Sequence, residues 1–298
     1  MYKNVILFGG DGFLGKGLQR ELTKRNVLFK SIDIKDYDLV NFNNLARCIE
    51  DLKDITHIVI LASKIGAVLF NTYAKISADY NKKLHTFMYE AIIRASRKYN
   101  KSYNVTYYST SEIFGNRKSI DDIITDKSEY TFNINSDRQL YSYIKYEAEQ
   151  DYIKLNYDCP DIVNSIKIIR PFNVYGQGQR RGVVYEMLMS LKNNNYIEYS
   201  EDTTRTMTNI DFASKYSTDV ILADNNINVN IADKDYSMSM KTLAEVIKIS
   251  LNRLDCKLIP KPKDTIVQYR HVSKITNDID FLVKNMSQHI QKLYLEIS

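Results

Sequence analysis

Short apolar runs alternate with segments of helical period along the first half of the chain. The first helical segment places its apolar residues four positions apart, at Leu14, Leu18 and Leu22. Strands that alternate with amphipathic helices are typical of a parallel sheet with helices on both faces, so we predict an α/β fold. The predicted strands are Val5–Phe8, Leu28–Ile34, Ile58–Leu61, Val105–Ser109 and Ile166–Ile169, and the predicted helices are Leu14–Lys24, Leu45–Leu52, Leu84–Tyr99 and Tyr141–Leu155.

The pattern changes beyond Arg170. The segment Gly176–Gly182 is a loop of glycine, glutamine and arginine, and the elements after it no longer alternate regularly. We therefore predict a Rossmann-like doubly wound domain over residues 1–172 and a smaller C-terminal α/β domain mainly over residues 173–298, allowing some segments to return to the first. In this part we predict helices at Val183–Leu191 and Leu243–Leu254, a strand at Val229–Ala232 and an amphipathic helix pair over Phe281–Ile297.

Charge and apolar content narrow the class of protein. The chain has 41 Lys and Arg against 36 Asp and Glu, a net charge of +5, without long basic runs. This mild excess favours an anionic small molecule at least as well as nucleic acid, and we expect no nucleic-acid partner. No apolar run approaches the roughly 20 residues needed to cross a bilayer, so we expect no membrane partner.

The cysteines and the N-terminal segment bear on the compartment. Cys48, Cys159 and Cys256 are widely spaced and form no CxxC pair, so we expect neither a disulfide framework nor a metal site. The apolar stretch near the N-terminus is too short for a signal-peptide core. We therefore expect a cytoplasmic protein.

The segment GGDGFLG lies between the first predicted strand and helix. Gly9, Gly12 and Gly15 have GxxGxxG spacing, and we predict that they bind the cofactor together with Phe13 and Leu14. Glycines there let the backbone approach a pyrophosphate at the helix N-terminus, although a simple tight turn would use them as well.

An acidic residue follows the second predicted strand. Asp33 stands about 20 residues beyond the glycines, where a carboxylate can accept both adenosine ribose hydroxyls and would repel a 2′-phosphate. This favours NAD over NADP as the cofactor. The nearby Lys35 keeps NADP open as an alternative.

The segment YSYIK places Tyr141 and Lys145 one helical turn apart. A lysine there can lower the phenol pKa and hold a nicotinamide ribose, which makes the tyrosine a general base near neutral pH. Packing on a tyrosine-rich helix is the alternative interpretation.

Four motifs occur in the order seen in the extended short-chain dehydrogenases/reductases, the nucleotide-sugar epimerases and dehydratases. They are GGDGFLG, STSEIFG from Ser109, YSYIK, and RPFNVYG from Arg170. The chain resembles that family over nearly its whole length, because RTMTNIDFA from Arg205 and the VNIA segment are also similar to family stretches. The resemblance implies NAD bound by the first domain and a nucleotide-diphosphate sugar bound mostly by the second. We also expect a homodimer.

The resemblance implies roles for single residues. Thr110 would hydrogen-bond a sugar hydroxyl, Tyr141 would take the proton from the hydroxyl on sugar carbon 4, and Lys145 would assist it. The product of that step is a 4-keto sugar. Further family positions are Ser111 in the catalytic segment, Ala62, Asp38 and Leu39 on the cofactor, Asn173 on the substrate, Arg205 on its phosphate and Arg270 as a second phosphate contact.

Glu112 bears on the reaction type. STSEIFG is similar to the STSExYG of GDP-mannose 4,6-dehydratases and UDP-glucuronate decarboxylases. A carboxylate beside a 4-keto sugar can remove the acidified proton on carbon 5 and drive elimination of the carbon 6 hydroxyl. We therefore favour an enzyme of the 4,6-dehydratase type. As an isolated residue, Glu112 would more simply cap or salt-bridge a loop.

Three alternatives stay open. Lys64–Ala67 resemble the KVGG of GDP-fucose synthases, which favours a 4-keto sugar reductase that consumes NAD(P)H and uses Tyr141 as an acid. A UDP-glucuronate decarboxylase-like enzyme would share the Glu112 motif. A catalytically silent NAD-binding regulator belongs to another class, and the intact Thr110, Tyr141 and Lys145 argue against it.

Overall fold

The computed structural model describes residues 3–64, 70–117, 119–132, 137–261 and 268–297. Its strands are β1 (Asn4–Phe8), β2 (Leu28–Ile32), β3 (His57–Ile60), β4 (Tyr103–Tyr108), β5 (Val163–Pro171), β6 (Val174–Tyr175), β7 (Tyr196–Ser200), β8 (Thr203–Thr206), β9 (Thr208–Asn209), β10 (Ile227–Ile231), β11 (Ser237–Ser239), β12 (Lys257–Lys261) and β13 (Gln268–Arg270). Its helices are α1 (Phe13–Lys24), α2 (Leu45–Asp51), α3 (Phe70–Tyr99), α4 (Asp137–Asp158), α5 (Val183–Asn194), α6 (Ile210–Ile221), α7 (Met240–Ser250) and α8 (Ile279–Glu296). Residues 65–67 of the segment that resembles KVGG lie outside the described residues.

A six-stranded sheet has the order β10-β5-β4-β3-β1-β2. The registers of β1 with β2 and β3, of β3 with β4, and of β4 with β5 are all parallel. This confirms the predicted α/β, Rossmann-like fold. The carboxyl ends of parallel strands share one edge of the sheet, so residues that directly follow β1, β2, β3 and β4 are brought to that edge.

Both faces of the sheet are buried. On β1, Ile6 and Phe8 belong to a core cluster that also contains Ile58 and Ile60 of β3. Val5 and Leu7 point to the opposite face because side chains alternate along a strand, and they too are inaccessible to solvent. A fully buried aliphatic or aromatic side chain contributes about 1.5–3 kcal/mol, so each short strand is stabilised chiefly by tertiary packing.

The chain divides into two compact units, each built from separate segments. The first unit contains residues 1–113, 131–170 and 214–230, and the second contains residues 114–130, 171–213 and 231–298. The second unit has its own apolar core, formed largely by α5, α7 and α8. It also holds a three-stranded sheet of order β11-β8-β13.

Some predicted helix bounds are wrong. The C-terminal segment forms the single helix α8 rather than a helix pair, because Leu282, Met286, Ile290 and Leu293 make one continuous buried stripe. Helix α3 begins at Phe70, well before the predicted Leu84, so the prediction covered only its C-terminal part. Helix α7 ends at Ser250 instead of Leu254, since Asn252 takes the left-handed conformation, with a φ of 52°.

Within the described ranges, no helix is both long and apolar enough to cross a membrane.

Candidate dinucleotide and catalytic sites

The turn between β1 and α1 needs its glycines for close backbone packing. Gly9 has a φ of +87°, and a Cβ there would lie 2.6 Å from the Ala62 nitrogen. A Cβ at Gly15 would lie 2.3 Å from the Gly10 oxygen, so this glycine lets α1 begin directly against the turn. Both clashes involve backbone atoms, which cannot move aside as a flexible side chain would.

Gly12 has a different reason to be glycine. It is exposed and has ordinary extended geometry, and a Cβ there would meet only the Gly9 oxygen, at 3.3 Å, within the described part of the chain. It is also the N-cap of α1, whose first turn begins with Phe13 and Leu14. A glycine N-cap leaves the space before the helix N-terminus open, as an approaching phosphate requires, and the helix dipole favours an anion there. This cradle fits a dinucleotide pyrophosphate.

Asp33 lies directly beyond β2 and is tied to the glycine turn. Its Oδ2 accepts the Asp11 N–H at 3.0 Å, and its Oδ1 accepts the Ile34 N–H at 2.8 Å. Each carboxylate oxygen keeps a further lone pair, so the group can still accept the two hydroxyls of a ribose. The carboxylate is therefore fixed at the position expected for the adenosine end of the cofactor.

Asp38 and Leu39 follow on the same connection. Asp38 Oδ1 accepts hydrogen bonds from the Val40 N–H and the Tyr80 hydroxyl, each at 3.1 Å, while Leu39 is buried. Desolvation, and secondarily the Asp38 charge, raise the pKa of Tyr80 to about 12, so the phenol stays a donor at neutral pH. Tyr80 was missed by sequence reasoning, because no local signal connects it to Asp38.

The chain after β3 is held in place by Asn81 of α3. The Ala62 N–H donates to the Phe8 oxygen at 2.8 Å, which extends the pairing of β3 with β1 past the strand end. Beyond it, Asn81 accepts the Lys64 N–H and donates to the Lys64 oxygen, both at 2.8 Å. Asn81 is buried. Sequence reasoning did not identify it as a site residue, because its side-chain amide bonds the backbone of a residue 17 positions away.

Thr110, Ser111 and Glu112 follow β4 after one intervening residue, Ser109. Residues Ser111–Phe114 form a short 3-10 helix, and the Glu112 N–H donates to Thr110 Oγ1 at 3.2 Å. Ser111 is buried, whereas Thr110 and Glu112 are half-buried. The three residues are thus brought to the carboxyl edge of the sheet.

Tyr141 and Lys145 lie one turn apart on α4, as predicted. Tyr141 is half-buried, whereas Lys145 is only 3% exposed and its Nζ lies 4.4 Å from the centre of the Tyr107 ring. Burial lowers the pKa of Lys145 to about 7, and the negative charge of Glu149 partly opposes that fall. The ammonium group is thus close to its titration point at neutral pH, so a new charge nearby would set its protonation state.

Arg170 and Glu149 form an ion pair in the interior of the same unit. The guanidinium Nε and Nη2 lie 3.0 Å from Oε1 and 2.6 Å from Oε2, and the two side chains are 2% and 0% exposed. Sequence reasoning found Arg170 as the first residue of RPFNVYG but missed its partner. The pair joins β5 to α4, the helix that carries Tyr141 and Lys145.

The second unit holds the other three predicted residues. Arg205 of β8 and Arg270 of β13 are register partners in parallel strands, and both are buried. Register partners on adjacent strands point to the same face of the sheet, and two buried arginines on one face favour an anionic ligand such as a phosphate. Asn173 has a φ of 32°, and its side-chain amide donates to the Thr206 oxygen at 3.1 Å.

His271 lies next to Arg270 and was not predicted as a site residue. Its Nε2 lies 2.9 Å from the Ile120 oxygen, which can only accept, so Nε2 carries the proton and Nδ1 accepts from the Thr204 hydroxyl at 2.8 Å. Burial, as the largest cause, lowers the pKa of this imidazole. His271 is therefore a neutral group that fixes β13. Among the residues the structure describes, no cluster of three or more His, Cys, Asp or Glu side chains is arranged to hold a metal ion.

Residues 5–211 match the sequence profile of the NAD dependent epimerase/dehydratase family. No curated protein matches the chain in sequence. Similar solved structures include UDP-glucose 4-epimerase from Thermus thermophilus in complex with NAD, with a TM-score of 0.76, 14% identity and 98% of each chain covered. UDP-N-acetylglucosamine 4-epimerase from Methanobrevibacter ruminantium has a TM-score of 0.75 and 17% identity, and the match covers 99% of this chain and 98% of that one. dTDP-glucose 4,6-dehydratase from Bacillus anthracis, in complex with NAD, has a TM-score of 0.72 and 16% identity, and the match covers 98% of this chain and 96% of that one.

Proposed function

Because the chain belongs to the NAD dependent epimerase/dehydratase family, we propose that it is a nucleotide-diphosphate-sugar dehydratase of the 4,6 type. The enzyme is NAD-dependent. In this proposal Gly12, Asp33 and Asp38 hold the dinucleotide, and Arg205 and Arg270 hold the substrate diphosphate.

One observation carries the choice of reaction. The carboxylate of Glu112 follows Thr110 on the short 3-10 helix beyond β4, in the same unit as Tyr141 and Lys145. A 4-epimerase or a 4-keto reductase handles protons only at the carbon 4 oxygen, whereas a dehydratase also needs a base for the proton on carbon 5. Glu112 supplies that base.

The residues then have distinct tasks. Held by Gly12, Asp33 and Asp38, NAD would supply the hydride acceptor for sugar carbon 4 and the hydride donor for carbon 6. Tyr141 removes the proton of the carbon 4 hydroxyl, Lys145 stabilises the phenolate, and Thr110 hydrogen-bonds the sugar. Glu112 removes the proton of carbon 5 while the carbon 6 hydroxyl leaves and takes up a proton as water. A proton from solvent finally replaces the one lost from carbon 5, so the sugar loses one water molecule overall.

The test uses the purified protein with GDP-, UDP-, CDP- and dTDP-sugars in deuterated water, followed by NMR. We expect one sugar to be converted, without added cofactor, to a 4-keto-6-deoxy product that carries deuterium on carbon 5. Turnover only with added NADH or NADPH would instead indicate a reductase, and inverted carbon 4 without dehydration would indicate an epimerase.

Glu112→Gln tests the assigned base. The variant keeps the side-chain size but cannot take a proton, so bound NADH should accumulate while deuterium uptake at carbon 5 falls at least about 100-fold. The matched control is Glu90→Gln, which removes an exposed carboxylate paired with Arg94 on α3. Unchanged product formation by Glu112→Gln would return that residue to a structural role and remove the main support for a dehydratase.

A further inference from the structure

Lys35 forms an ion pair with the carboxylate of Asp11, the one acidic residue of the glycine turn. Asp11 also donates its backbone N–H to Asp33 Oδ2 at 3.0 Å. Asp11 therefore contacts Asp33, whose carboxylate we expect at the adenosine ribose, and also Lys35. Lys35 is the one basic residue within two positions of Asp33 in the sequence. The two side chains are 70% and 35% exposed, so the pair lies at the surface, where a ligand can reach it.

The charges around this pair are mostly negative. Asp36 accepts the Asp33 N–H at 2.9 Å, so three carboxylates, those of Asp11, Asp33 and Asp36, surround one ammonium group. The hydrogen bond that Lys35 donates to the Asp11 carboxylate is the largest cause of the raised pKa of Lys35, which therefore stays charged at all physiological pH values. A 2′-phosphate, with up to about two negative charges, would meet an acidic surface there.

A lysine beside the end of the second strand that has no carboxylate partner favours NADP, because it can bind the 2′-phosphate directly. The sequence therefore leaves Lys35 ambiguous between NAD and NADP. The contact with Asp11 resolves the ambiguity, since the ammonium already has an anionic partner.

We propose that Asp11 is a cofactor-specificity residue that acts by engaging Lys35 and so withholds it from the 2′ position of the adenosine ribose. Lys35 is then a latent phosphate ligand, and the choice of NAD depends on Asp11 as well as on Asp33. This inference rests on the proposed place of Asp33 at the ribose and is independent of which sugar the enzyme converts.

The expected effect is modest because an exposed ion pair is weak. Removing the Asp11 charge should raise the affinity for a ligand with a 2′-phosphate about three- to tenfold, and should change the affinity for the same ligand without that phosphate less than twofold. Raised salt should diminish the gain, because the new contact is solvent-exposed.

The experiment measures binding of AMP and of adenosine 2′,5′-bisphosphate, the adenosine halves of NAD and NADP, by isothermal titration calorimetry. The proteins are the wild type, Asp11→Asn, Lys35→Met and the double variant. We expect Asp11→Asn to bind the bisphosphate more tightly, and Lys35→Met to abolish that gain in the double variant. Asp219→Asn is the matched control, because it removes an exposed carboxylate that pairs with Arg25, at a distance from the turn.

Several outcomes would overturn the proposal. An unchanged ratio of the two affinities in Asp11→Asn would show that Asp11 does not restrain Lys35. A gain that survives in the double variant would show that Lys35 is not the ligand, and an equal gain in Asp219→Asn would show a general charge effect. Weaker AMP binding by Lys35→Met would make Lys35 an ordinary NAD contact. AMP binding by Asp33→Asn is measured in parallel. If this variant binds AMP as tightly as the wild type, Asp33 does not contact the ribose, and the error lies in the proposed position of Asp33 rather than in the role of Asp11.

Discussion

Arg170 donates hydrogen bonds to both carboxylate oxygens of Glu149 in the interior of the first unit, and its Nη2 lies 2.6 Å from Oε2. Both charges are removed from water, so each depends on the other. This pair joins the strand whose end begins RPFNVYG to the helix that carries YSYIK.

Breaking this pair on one side should be costly. We expect Glu149→Gln to lower the free energy of unfolding by about 3–5 kcal/mol in urea titrations, because it leaves the Arg170 charge buried without its counterion. Replacing both partners, as Glu149→Leu with Arg170→Met, should cost less than the single change. Glu90→Gln, which breaks an exposed pair, should cost less than about 1 kcal/mol. A Glu149→Gln protein as stable as wild type would contradict the buried-charge account.

Two lysines should titrate near neutral pH. Burial lowers the pKa of Lys145 to about 7 and that of Lys167, whose Nζ hydrogen-bonds to Ser165 Oγ, to about 8. NMR of the lysine side-chain nitrogens in the ligand-free protein should show two such transitions, which Lys145→Met and Lys167→Met remove one at a time. Glu149→Gln should lower the Lys145 pKa further, because it removes the charge that favours the ammonium form. Ordinary lysine titrations throughout would contradict the prediction.

Tyr141→Phe should reduce turnover by about 100-fold or more, the usual scale for loss of a general acid or base, while the fold stays intact. Lys145→Met should weaken NAD binding as well as turnover. Tyr143→Phe is the matched control, since Tyr143 lies two positions away on the same helix and its ring packs edge-on against Phe132. Comparable activity of the two tyrosine variants would remove Tyr141 from the catalytic role.

Tyr80 should position Asp38 for the adenine ring. Because Asp38 Oδ1 already accepts two donors, Oδ2 is the oxygen left to accept an adenine amino group. Calorimetry with NAD and with nicotinamide hypoxanthine dinucleotide, which lacks that amino group, should show that Tyr80→Phe lowers the preference for NAD about two- to tenfold. Equal losses for both ligands would indicate a general effect on the pocket instead.

Acid should destabilise the first unit through His57. Its pKa is lowered to about 4, mainly by burial and also by the positive charges of Lys167 and Lys3, against an opposing contribution from Asp224. The imidazole of His57 becomes protonated below about pH 6.5 in the unfolded chain but only near pH 4 in the folded chain. The stability that the neutral His57 contributes is therefore fully present above pH 6.5 and is lost as the pH falls from 6.5 to 4. The wild type should lose up to about 3 kcal/mol more than His57→Gln between pH 6.5 and 4 in urea titrations. Parallel curves would show that His57 does not titrate there.

Strands β1 to β5, the glycine turn and the YxxxK pair were predictable because their signals are local. The spacing of Gly9, Gly12 and Gly15 is determined within one turn, and Tyr141 and Lys145 are related by one turn of a helix. Asp33 was predictable because the topology of a parallel sheet determines which strand end it follows.

Tyr80, Asn81 and Glu149 were not predictable, because each has its function through a partner far away in sequence. Asp38 lies 42 positions from Tyr80, and Arg170 lies 21 positions from Glu149. On helices α3 and α4 these residues are simply polar positions, and only the tertiary structure shows that two of them are buried.

The short strands of the second unit were missed for another reason. Strand β8 has the sequence TTRT and β13 has QYR, without the apolar alternation that indicates a half-buried strand. Some of the buried polar groups of β8 instead form side-chain hydrogen bonds, such as that between the Thr206 and Ser237 hydroxyls at 2.7 Å. Hydropathy carries no signal for a strand stabilised in this way.

The division of the chain into interleaved segments affects how the protein can be made and cut. The first unit takes its last segment from residues 214–230, after two segments of the second unit have already been passed. A nascent chain therefore cannot complete either unit from an uninterrupted stretch, and closing such long loops is slow compared with forming local helices. No single cleavage site releases either unit whole, and a chain shortened from its C-terminus would lose residues of the second unit before any of the first.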